Sequence, residues 1–332
     1  MAYTTIDDPT LYFSSTIWTG NATDDRAIVI DGTGMQPDFV WIKSRNDTDN
    51  HRLVDSVRGA TKHMESDGTG AEQTSSNVKT FTSTGVTLST NGAVNANSEL
   101  YASWAWKKEA GVMDIVTYTG NGSNRTIAHN LGVKPAVMIH KGRSNTYNWG
   151  VYHHALSPSN ERSLNFNTTG AVNVDDGGVY YNSTDPTSSV FSLGTNVGYN
   201  ANGATYVAYL FAEKQGYSKF SSYVGNANNN GTFVYTGFKP SFVMIKRTDS
   251  TASWLMFDNK RANPFNEITA DLRADLSNAE DASTSYNNLD FLSNGFKIRK
   301  NNADINASGG NYIFMAFAEN PFVTSSGVPA TA

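Results

Sequence analysis

Cysteine is absent from the 332 residues, so the chain can hold no disulfide, no thiolate zinc site and no cysteine nucleophile. Stability must therefore come from packing, which suits a protein folded in a reducing cytosol. Charge is also scarce: charged residues make up 17%, the net charge is -5, and no Lys or Arg run exceeds two residues. Because nucleic-acid affinity depends on clustered cations, we expect no nucleic-acid partner.

Long apolar runs are missing as well, and the N-terminal stretch MAYTTIDDPTLYF has neither the basic nor the apolar region of a signal peptide. We therefore expect no membrane insertion. The motifs G-x-S-x-G and H-E-x-x-H and the Walker loop do not occur either. The sequence predicts no catalytic residue, no metal ligand and no cofactor, and hence a protein that is not an enzyme.

What the sequence does contain is a phrase written three times. NANSELY begins at Asn95, NANGATY at Asn200 and NASGGNY at Asn306, at intervals of 105 and 106 residues. Such a period has the size of a small domain, not of a solenoid repeat. We predict three units, residues 1–110, 111–215 and 216–332, with so little linker between them that they pack against one another.

Other motifs recur in the same order within each unit. A Gly-Asn dipeptide, to which we assign the positive φ of a tight turn, ends the first strand. An apolar run then ends in lysine, and the Asn-Ala phrase follows as the turn that launches a closing strand. The lysines are Lys43, Lys141 and Lys246, and the closing strands begin near Tyr101, Tyr206 and Tyr312.

The closing segments are apolar on both faces, which predicts a central strand that is covered on both sides. Aromatic residues reach 12% and glycine 28 residues, a composition typical of strands joined by many turns. We predict an all-β fold of three tandem β-sandwich, jelly-roll-like repeats of about 100 residues each. Each unit is expected to fill its own interior with its aromatic residues.

Twelve residues after the lysine, the first and third units carry Asp-x-x-Arg, as Asp55 with Arg58 and Asp258 with Arg261. The second unit has His153 at the aspartate position and no arginine. Opposite charges three residues apart can meet on one turn of chain. We interpret both pairs as structural ion pairs and not as a binding site.

Two aromatic residues, Tyr147 and Trp149, lie in RSNTYNWG between a strand and its return, and they are candidates for stacking on sugar rings. Trp149 stands eight residues after the lysine, as does Trp254 in the third unit. That agreement favours a role in the core for the tryptophan. Both interpretations stay open at this stage.

Two groups of residues resemble metal sites. The stretch Asn46 to Asn50 concentrates oxygen ligands but lacks the glycine and glutamate of a calcium-binding EF-hand. Four of the six histidines lie in the second unit, where adjacent His153 and His154 would point to opposite faces of a strand. We predict a polar hairpin tip in the first case and no metal in the second.

Three stretches, taken together, resemble the repeated β-rich modules of virion structural proteins in marine tailed bacteriophages, cyanophages especially. They are GMQPDFVWIKSRNDTDNHRLVDSVRGATK, YTGNGSNRTIAHNLGVKPAVMIHKGRS, and FLSNGFKIR with NYIFMAFAENPF. The resemblance extends from about Tyr12 to Phe322. It implies a virion component, made in the host cytoplasm, with other virion proteins as partners and without assigned catalytic residues.

The expected function is that of a non-enzymatic virion structural protein, a tail fibre or tail-associated protein, which forms a homo-oligomer and contacts host cell-surface polysaccharide. A capsid decoration protein is an alternative that differs only in location. A carbohydrate-active depolymerase is an alternative of another class, and it would need two carboxylates facing each other across a cleft.

Overall fold

The computed structural model describes residues 3–30, 34–175, 177–261 and 266–329. Strands form almost all of the regular structure in these ranges, and the three α-helices have four residues each. The predicted all-β class is confirmed. No helix in the described ranges is long and apolar enough to cross a membrane.

Each unit consists of short strands with one α-helix directly before its closing strand. The first unit contains β1 (Phe13–Thr19), β2 (Arg26–Val29), β3 (Phe39–Ser44), β4 (Arg52–Asp55), β5 (Lys62–Met64), β6 (Gln73–Thr74), β7 (Val78–Thr82), β8 (Gly85–Leu88), α1 (Gly92–Asn95) and β9 (Leu100–Trp106). The second contains β10 (Met113–Thr119), β11 (Arg125–Ala128), β12 (Val137–Gly142), β13 (Gly150–His153), β14 (Arg162–Asn165), β15 (Asn173–Val174), β16 (Val190–Leu193), α2 (Val197–Asn200) and β17 (Thr205–Phe211). The third contains β18 (Ser218–Val224), β19 (Phe233–Tyr235), β20 (Phe238–Arg247), β21 (Leu255–Asp258), β22 (Leu272–Arg273), β23 (Leu289–Leu292), β24 (Gly295–Ile298), α3 (Ala303–Asn306) and β25 (Asn311–Pro321).

Each unit forms one large and one small antiparallel sheet, and every sheet is made of strands from one unit. The large sheets have the orders β1-β9-β3-β4-β5-β6, β10-β17-β12-β13-β14-β15 and β18-β25-β20-β21-β22. The small sheets have the orders β2-β8-β7, β11-β16 and β19-β24-β23. In every large sheet the closing strand lies between the first strand and the strand of the lysine run.

The closing strands confirm the prediction of a central strand that is buried on both faces. In β25, Tyr312 and Phe314 face the core between the large and the small sheet of their own unit. Ile313, Met315 and Phe317 point the opposite way into a different core. Alternation along a strand places these two sets on opposite faces, and both sets are covered.

The second core is shared by all three units. It lies where the outward faces of the three large sheets meet, and it takes residues from each of them. Five of the six tryptophans belong to it, namely Trp41, Trp104, Trp106, Trp149 and Trp254. The expectation that each unit fills only its own interior with aromatic residues is therefore wrong. The largest side chains join the units together.

The Asn-Ala phrase leads through a turn into each closing strand, as predicted, but its asparagine has a further role. Asn95 ends a helical turn and is fully buried. Its Oδ1 accepts a hydrogen bond from the backbone N of Asn21 at 3.1 Å, and its Nδ2 donates to the carbonyl of Ser89 at 3.0 Å. Asn200 and Asn306 make the equivalent bonds in the other units. The asparagine is a buried link between two turns, and its own backbone is helical.

The positive φ angles lie elsewhere than predicted. Gly20 has no positive φ; instead, a Cβ placed on it would lie 1.8 Å from the carbonyl oxygen of Ala96. Glycine is needed there for close approach of two backbones. The left-handed conformation falls two residues later, at Ala22 with φ 53°, and again at Ser98 with φ 67°.

Candidate functional site

Asp55 and Arg58 form a buried ion pair, and it joins two units. Both side chains are fully buried, and Arg58 donates from Nε to Oδ2 of Asp55 and from its backbone N to Oδ1. Arg58 Nη2 also donates to the hydroxyl of Tyr209 in the second unit at 3.0 Å. The same hydroxyl donates to Asp55 Oδ2 at 2.8 Å. We call this contact between the first and second units the N-terminal interface.

Asp258 and Arg261 form an equivalent buried ion pair, which joins the third unit to the first. Its Nε and Oδ2 atoms are 2.6 Å apart, and Trp104 Nε1 donates to the same oxygen at 2.9 Å. The guanidinium lies 5.4 Å from the centre of the Trp104 ring, a cation–π distance. Burial alone would raise the pKa of Asp258, but the charge and hydrogen bonds of Arg261 outweigh it and hold that pKa below its usual value. We call this contact the closing interface.

A glutamate extends each pair into a chain of charges. In the N-terminal interface, Glu72 accepts from Arg58 Nη1 at 3.2 Å and from Arg143 of the second unit at 2.9 and 3.0 Å. The closing interface repeats this arrangement with Arg261, Glu280 and Arg45. Buried arginines of this kind bind carboxylates in paired geometry, which fixes both distance and orientation.

The contact between the second and third units, which we call the C-terminal interface, follows the same backbone plan with other side chains. Val172 N donates to Thr248 O at 2.9 Å, as Glu72 N donates to Arg143 O at 2.9 Å. The glutamate and arginine positions are thus occupied by Val172 and Thr248. Arg58 is replaced by Leu156, three residues after His153. These residues cannot form an Arg–Glu–Arg chain.

The absence of Asp-x-x-Arg from the second unit now has a physical reason. Tyr209 and Trp104 donate to the aspartates in the other interfaces, but Met315 has their position in β25 and carries no donor. An aspartate at position 153 would lack that bond. His153 instead donates from Nε2 to the carbonyl of Phe314 at 3.1 Å and is fully buried, which lowers its pKa to about 3.

Trp149 is not a sugar-binding residue, which corrects one of the two candidates. Its side chain is 0% exposed, because it fills the shared core. Its Nε1 donates to the carbonyl of Glu65 in the first unit at 2.9 Å, and Trp254 donates likewise to Asn165 of the second unit at 3.1 Å. The alternative of a core role was the right one.

The first unit has a histidine at the matching position, which we did not identify from the sequence. His51 stands eight residues after Lys43, and its Nε2 contacts the carbonyl of Arg273 in the third unit at 3.0 Å. Because Trp41 Nε1 donates to His51 Nδ1 at 2.8 Å, Nε2 is the protonated ring nitrogen. Burial lowers the pKa of His51 to about 3. The spacing from the lysine was the signal that could have found it.

The three lysines hold the loops that follow them. Lys141 Nζ donates to the carbonyls of Thr69 in the first unit at 3.1 Å, Gly142 at 3.1 Å and Tyr147 at 3.0 Å. Burial lowers the pKa of Lys141 to about 8. Lys43 and Lys246 have similar surroundings and also have pKa values of about 8. These cations anchor loops and take part in no exposed site.

Tyr147, the other candidate, lies on the surface. It is 46% exposed and lines a recess of about 250 Å³ on the second unit. We call this the tyrosine–asparagine recess, and its principal residues are Tyr147, Tyr180, Tyr199, Asn165, Asn173 and Asn196. No described residue that lines it carries a charge. Tyr147 therefore keeps its candidacy, with neighbours that the sequence did not bring together.

The floor of the recess is the ring of Tyr199, which is 4% exposed. Its hydroxyl lies 2.5 Å from Ser163 Oγ. A Cβ on Gly150 would lie 1.9 Å from that hydroxyl, so the glycine in β13 makes room for the tyrosine. Burial raises the pKa of Tyr199 well above its usual value, and the floor stays neutral.

The wall of the recess is Tyr180, in the connection between β15 and β16. The buried carboxylate of Asp175 accepts from the backbone N atoms of Val179 and Tyr180 at 2.9 and 2.8 Å. Gly194 N donates to the carbonyl of Tyr180 at 2.9 Å. This connection has no periodic pattern, so nothing in the sequence indicated a site there.

The residues with metal-like patterns are occupied otherwise. His140 is buried among the rings of Tyr181, Phe191 and Tyr199, apart from the interface histidines. At the Asn46 to Asn50 tip, the ammonium of Lys43 donates to the carbonyl of Asp47 at 2.9 Å. In the described ranges, no group of three or more His, Asp or Glu side chains is placed to share a metal ion.

Three further recesses lie along the unit boundaries, and each contains a single carboxylate among its described residues. The carboxylates are those of Glu319, Glu213 and Asp249. The recess with Asp249 has a volume of about 390 Å³ and is lined by Leu156, Val172 and Thr248. It therefore occupies the part of the C-terminal interface where the other two interfaces hold their arginines and glutamates.

Comparison with known protein families gives a match over most of the chain. Residues 8–321 match a family described as a domain of unknown function, DUF7483. The match takes in all three units. No curated protein matches the chain.

Proposed function

The chain belongs to the DUF7483 family, and we propose that it is a non-enzymatic structural protein of a bacteriophage virion, tail-associated or part of a tail fibre, that contacts host surface glycans. The observation that supports this best is that the charged side chains of the interior form ion pairs at contacts between units. Asp55, Arg58, Asp258 and Arg261 are buried and hold units together, so they are not presented to a substrate.

The compact form of the chain supports a role as an appendage and not as a shaft. The large sheets of the three units pack around one shared core, which holds the units together. Such packing suits a particle component, which must keep its shape while it holds neighbours. The resemblance to tailed-phage virion modules favours the same role.

The exposed part of the molecule supports contact with glycans. The tyrosine–asparagine recess combines aromatic rings with uncharged amides on the surface. A glycoside-cleaving enzyme would need two carboxylates facing one another, and each of the other three recesses has only one among its described residues. We therefore propose binding without cleavage.

The proposal is tested on purified particles of a phage that encodes the chain. We expect mass spectrometry to find the protein at constant stoichiometry after density-gradient purification. A cryo-electron microscopy map should place it on the tail. Density on the capsid lattice would favour a decoration protein, and absence from purified particles would overturn the proposal.

Two solution measurements complete the test. Light scattering of the purified protein should report a homo-oligomer, and a strict monomer at every concentration would count against assembly through identical copies. Incubation with host polysaccharide should release no reducing ends. Release that depends on the protein concentration would establish a depolymerase instead.

A further inference from the structure

We propose that the tyrosine–asparagine recess is a binding site for one neutral sugar residue of a polysaccharide, a hexose or an N-acetylhexosamine. This inference rests on the proposed glycan contact and specifies its ligand. The lining of the recess favours a neutral ligand, because its described residues are the uncharged tyrosine, asparagine, valine and glycine. A uronate or sulfated sugar would find no cation among them, whereas a neutral sugar needs none.

Unused hydrogen-bonding capacity in the recess points to a ligand rich in hydroxyls. The side-chain amides of Asn165 and Asn173 are half-buried, and neither makes a hydrogen bond within the described part of the chain. Each amide offers two donors and an acceptor. Sugar hydroxyls both donate and accept, so they match a pair of free amides.

The arrangement of the rings suits a pyranose. Tyr147 stands at the rim with almost half of its surface exposed, and Tyr180 forms a half-buried wall. The Tyr180 and Tyr199 rings have centroids 5.4 Å apart and planes inclined at 57°. An aromatic ring covers the apolar C–H face of a pyranose while the phenol hydroxyl stays in water. Ring faces and amides together define an amphipathic ligand of this kind.

The loops that carry the tyrosines are preorganised. The carbonyl of Tyr147 is held by the buried ammonium of Lys141, and the backbone of Tyr180 is held by the carboxylate of Asp175. Two loops that would otherwise have to be ordered by the ligand are thus fixed beforehand. Weak ligands benefit most from this, because the entropy cost of ordering a loop is already met on folding.

Within the described part of the chain, the residues of this recess come together in the second unit alone. The position of Tyr147, six residues after the lysine, is Asp49 in the first unit and Ala252 in the third. The position of Tyr199 is taken by Val94 and Ile305, which are fully buried core residues. We therefore expect one sugar per chain. A volume of about 250 Å³ is small for a ligand pocket and suits one ring.

A site of this size binds weakly. With about a dozen ligand atoms in contact, we expect a dissociation constant on the order of millimolar. Many copies on one particle would raise the effective affinity for a polysaccharide by several orders of magnitude.

The test uses the full chain and saturation-transfer NMR with methyl glycosides. Methyl glucoside, methyl galactoside and methyl N-acetylglucosaminide are compared with methyl glucuronide. We expect transfer to at least one neutral glycoside, saturating with a stoichiometry of one, and none to the glucuronide. Tyr147→Ala and Asn173→Ala should each weaken binding about tenfold.

Tyr286→Ala is the matched control, because Tyr286 is 53% exposed in the third unit, outside the recess. It should leave binding unchanged, and thermal unfolding should show that all three variants fold. Loss of binding in the control, binding of the glucuronide alone, or no transfer to any neutral glycoside at tens of millimolar would overturn the inference. Those outcomes do not decide whether the protein is found in purified particles, so the two proposals can fail separately.

Discussion

The N-terminal and closing interfaces are joined by buried arginines, whereas the C-terminal interface has a recess of about 390 Å³ at the same place. The N-terminal and C-terminal interfaces nevertheless share an equivalent backbone hydrogen bond. The interfaces differ at one residue of the facing strand. Tyr209 or Trp104 donates a hydrogen bond to a buried aspartate, and Met315 has no donor. A buried ion pair is thus tolerated only where the neighbouring unit completes its hydrogen bonds.

Separation of the units should produce the largest effect. Residues 111–215 alone would expose their share of the common core, including Trp149, Tyr209 and Phe211. We expect this fragment to aggregate or to lack a cooperative unfolding transition, as followed by circular dichroism. A monomeric fragment with a sharp transition would show that the shared core is dispensable.

Removal of one arginine should be next in size. Arg58→Leu leaves the carboxylate of Asp55 buried and without its cation, which should cost about 3–5 kcal/mol in the free energy of unfolding. The measurement is urea unfolding. Arg261→Leu makes the equivalent change in the closing interface and should cost a similar amount.

The control for this prediction removes both charges. Asp55→Asn with Arg58→Leu should be less destabilised than Arg58→Leu alone, because no uncompensated charge remains. Leu156→Met, at the matching position of the C-terminal interface, should cost less than about 1.5 kcal/mol. Equal losses in the single and double variants would contradict the role of buried charge.

Acid should weaken two of the three interfaces. His51 in the closing interface and His153 in the C-terminal interface have pKa values lowered by burial to about 3, against an ordinary value near 6.5. Their stabilising contribution is complete above pH 6.5 and is lost as pH falls toward 3, since the unfolded chain takes up protons first. At pH 5 each histidine should have lowered the free energy of unfolding by about 2 kcal/mol relative to its value above pH 6.5.

Two measurements check the acid prediction. Half-buried Asp67, whose pKa burial raises to about 6, acts in the opposite sense, so the histidines are tested by substitution. His153→Gln should reduce by about one the number of protons that the chain takes up on unfolding between pH 3 and 6.5, and so lower the slope of the free energy of unfolding against pH. Hydrogen exchange at pH 5 should preserve protection longest at the N-terminal interface, where Trp149 replaces the histidine. Equal loss of protection at all three interfaces would show that the histidines do not control it.

The smallest expected effect comes from building the missing charges. Val172→Glu with Thr248→Arg should place a glutamate and an arginine where Glu72 and Arg143 lie in the N-terminal interface. We expect a favourable coupling of about 1 kcal/mol in a double-mutant cycle, because Val172 is only half-buried. A coupling of zero would mean that the recess cannot order the pair.

The sequence predicted the strands well because their pattern is local. The two-faced closing strand of the third unit, from Tyr312 to Ala318, is readable from alternation alone. What covers its second face is not readable, because a helix layer, a partner chain or another sheet would demand the same residues. The shared core was therefore missed, and with it the bridging role of Trp149.

The candidate site was predictable only in part. Tyr147 could be proposed from its place in a loop, and the Asp55–Arg58 pair from its spacing. Tyr180 could not, because it enters the recess from an irregular connection that carries no repeated motif. Sites assembled from loops depend on tertiary geometry that no periodicity records.

Because the three units lie in one chain, the three contacts between them can differ in sequence. In a trimer of identical chains, a single base change would alter every contact at once, so a substitution harmful in one place would be harmful in triplicate. In this chain Met315 occurs in one closing strand only, and His153 of the second unit is the residue that faces it across the boundary. Within one chain, the second unit alone can carry the tyrosine–asparagine recess, while the buried arginines of the first and third units hold their contacts.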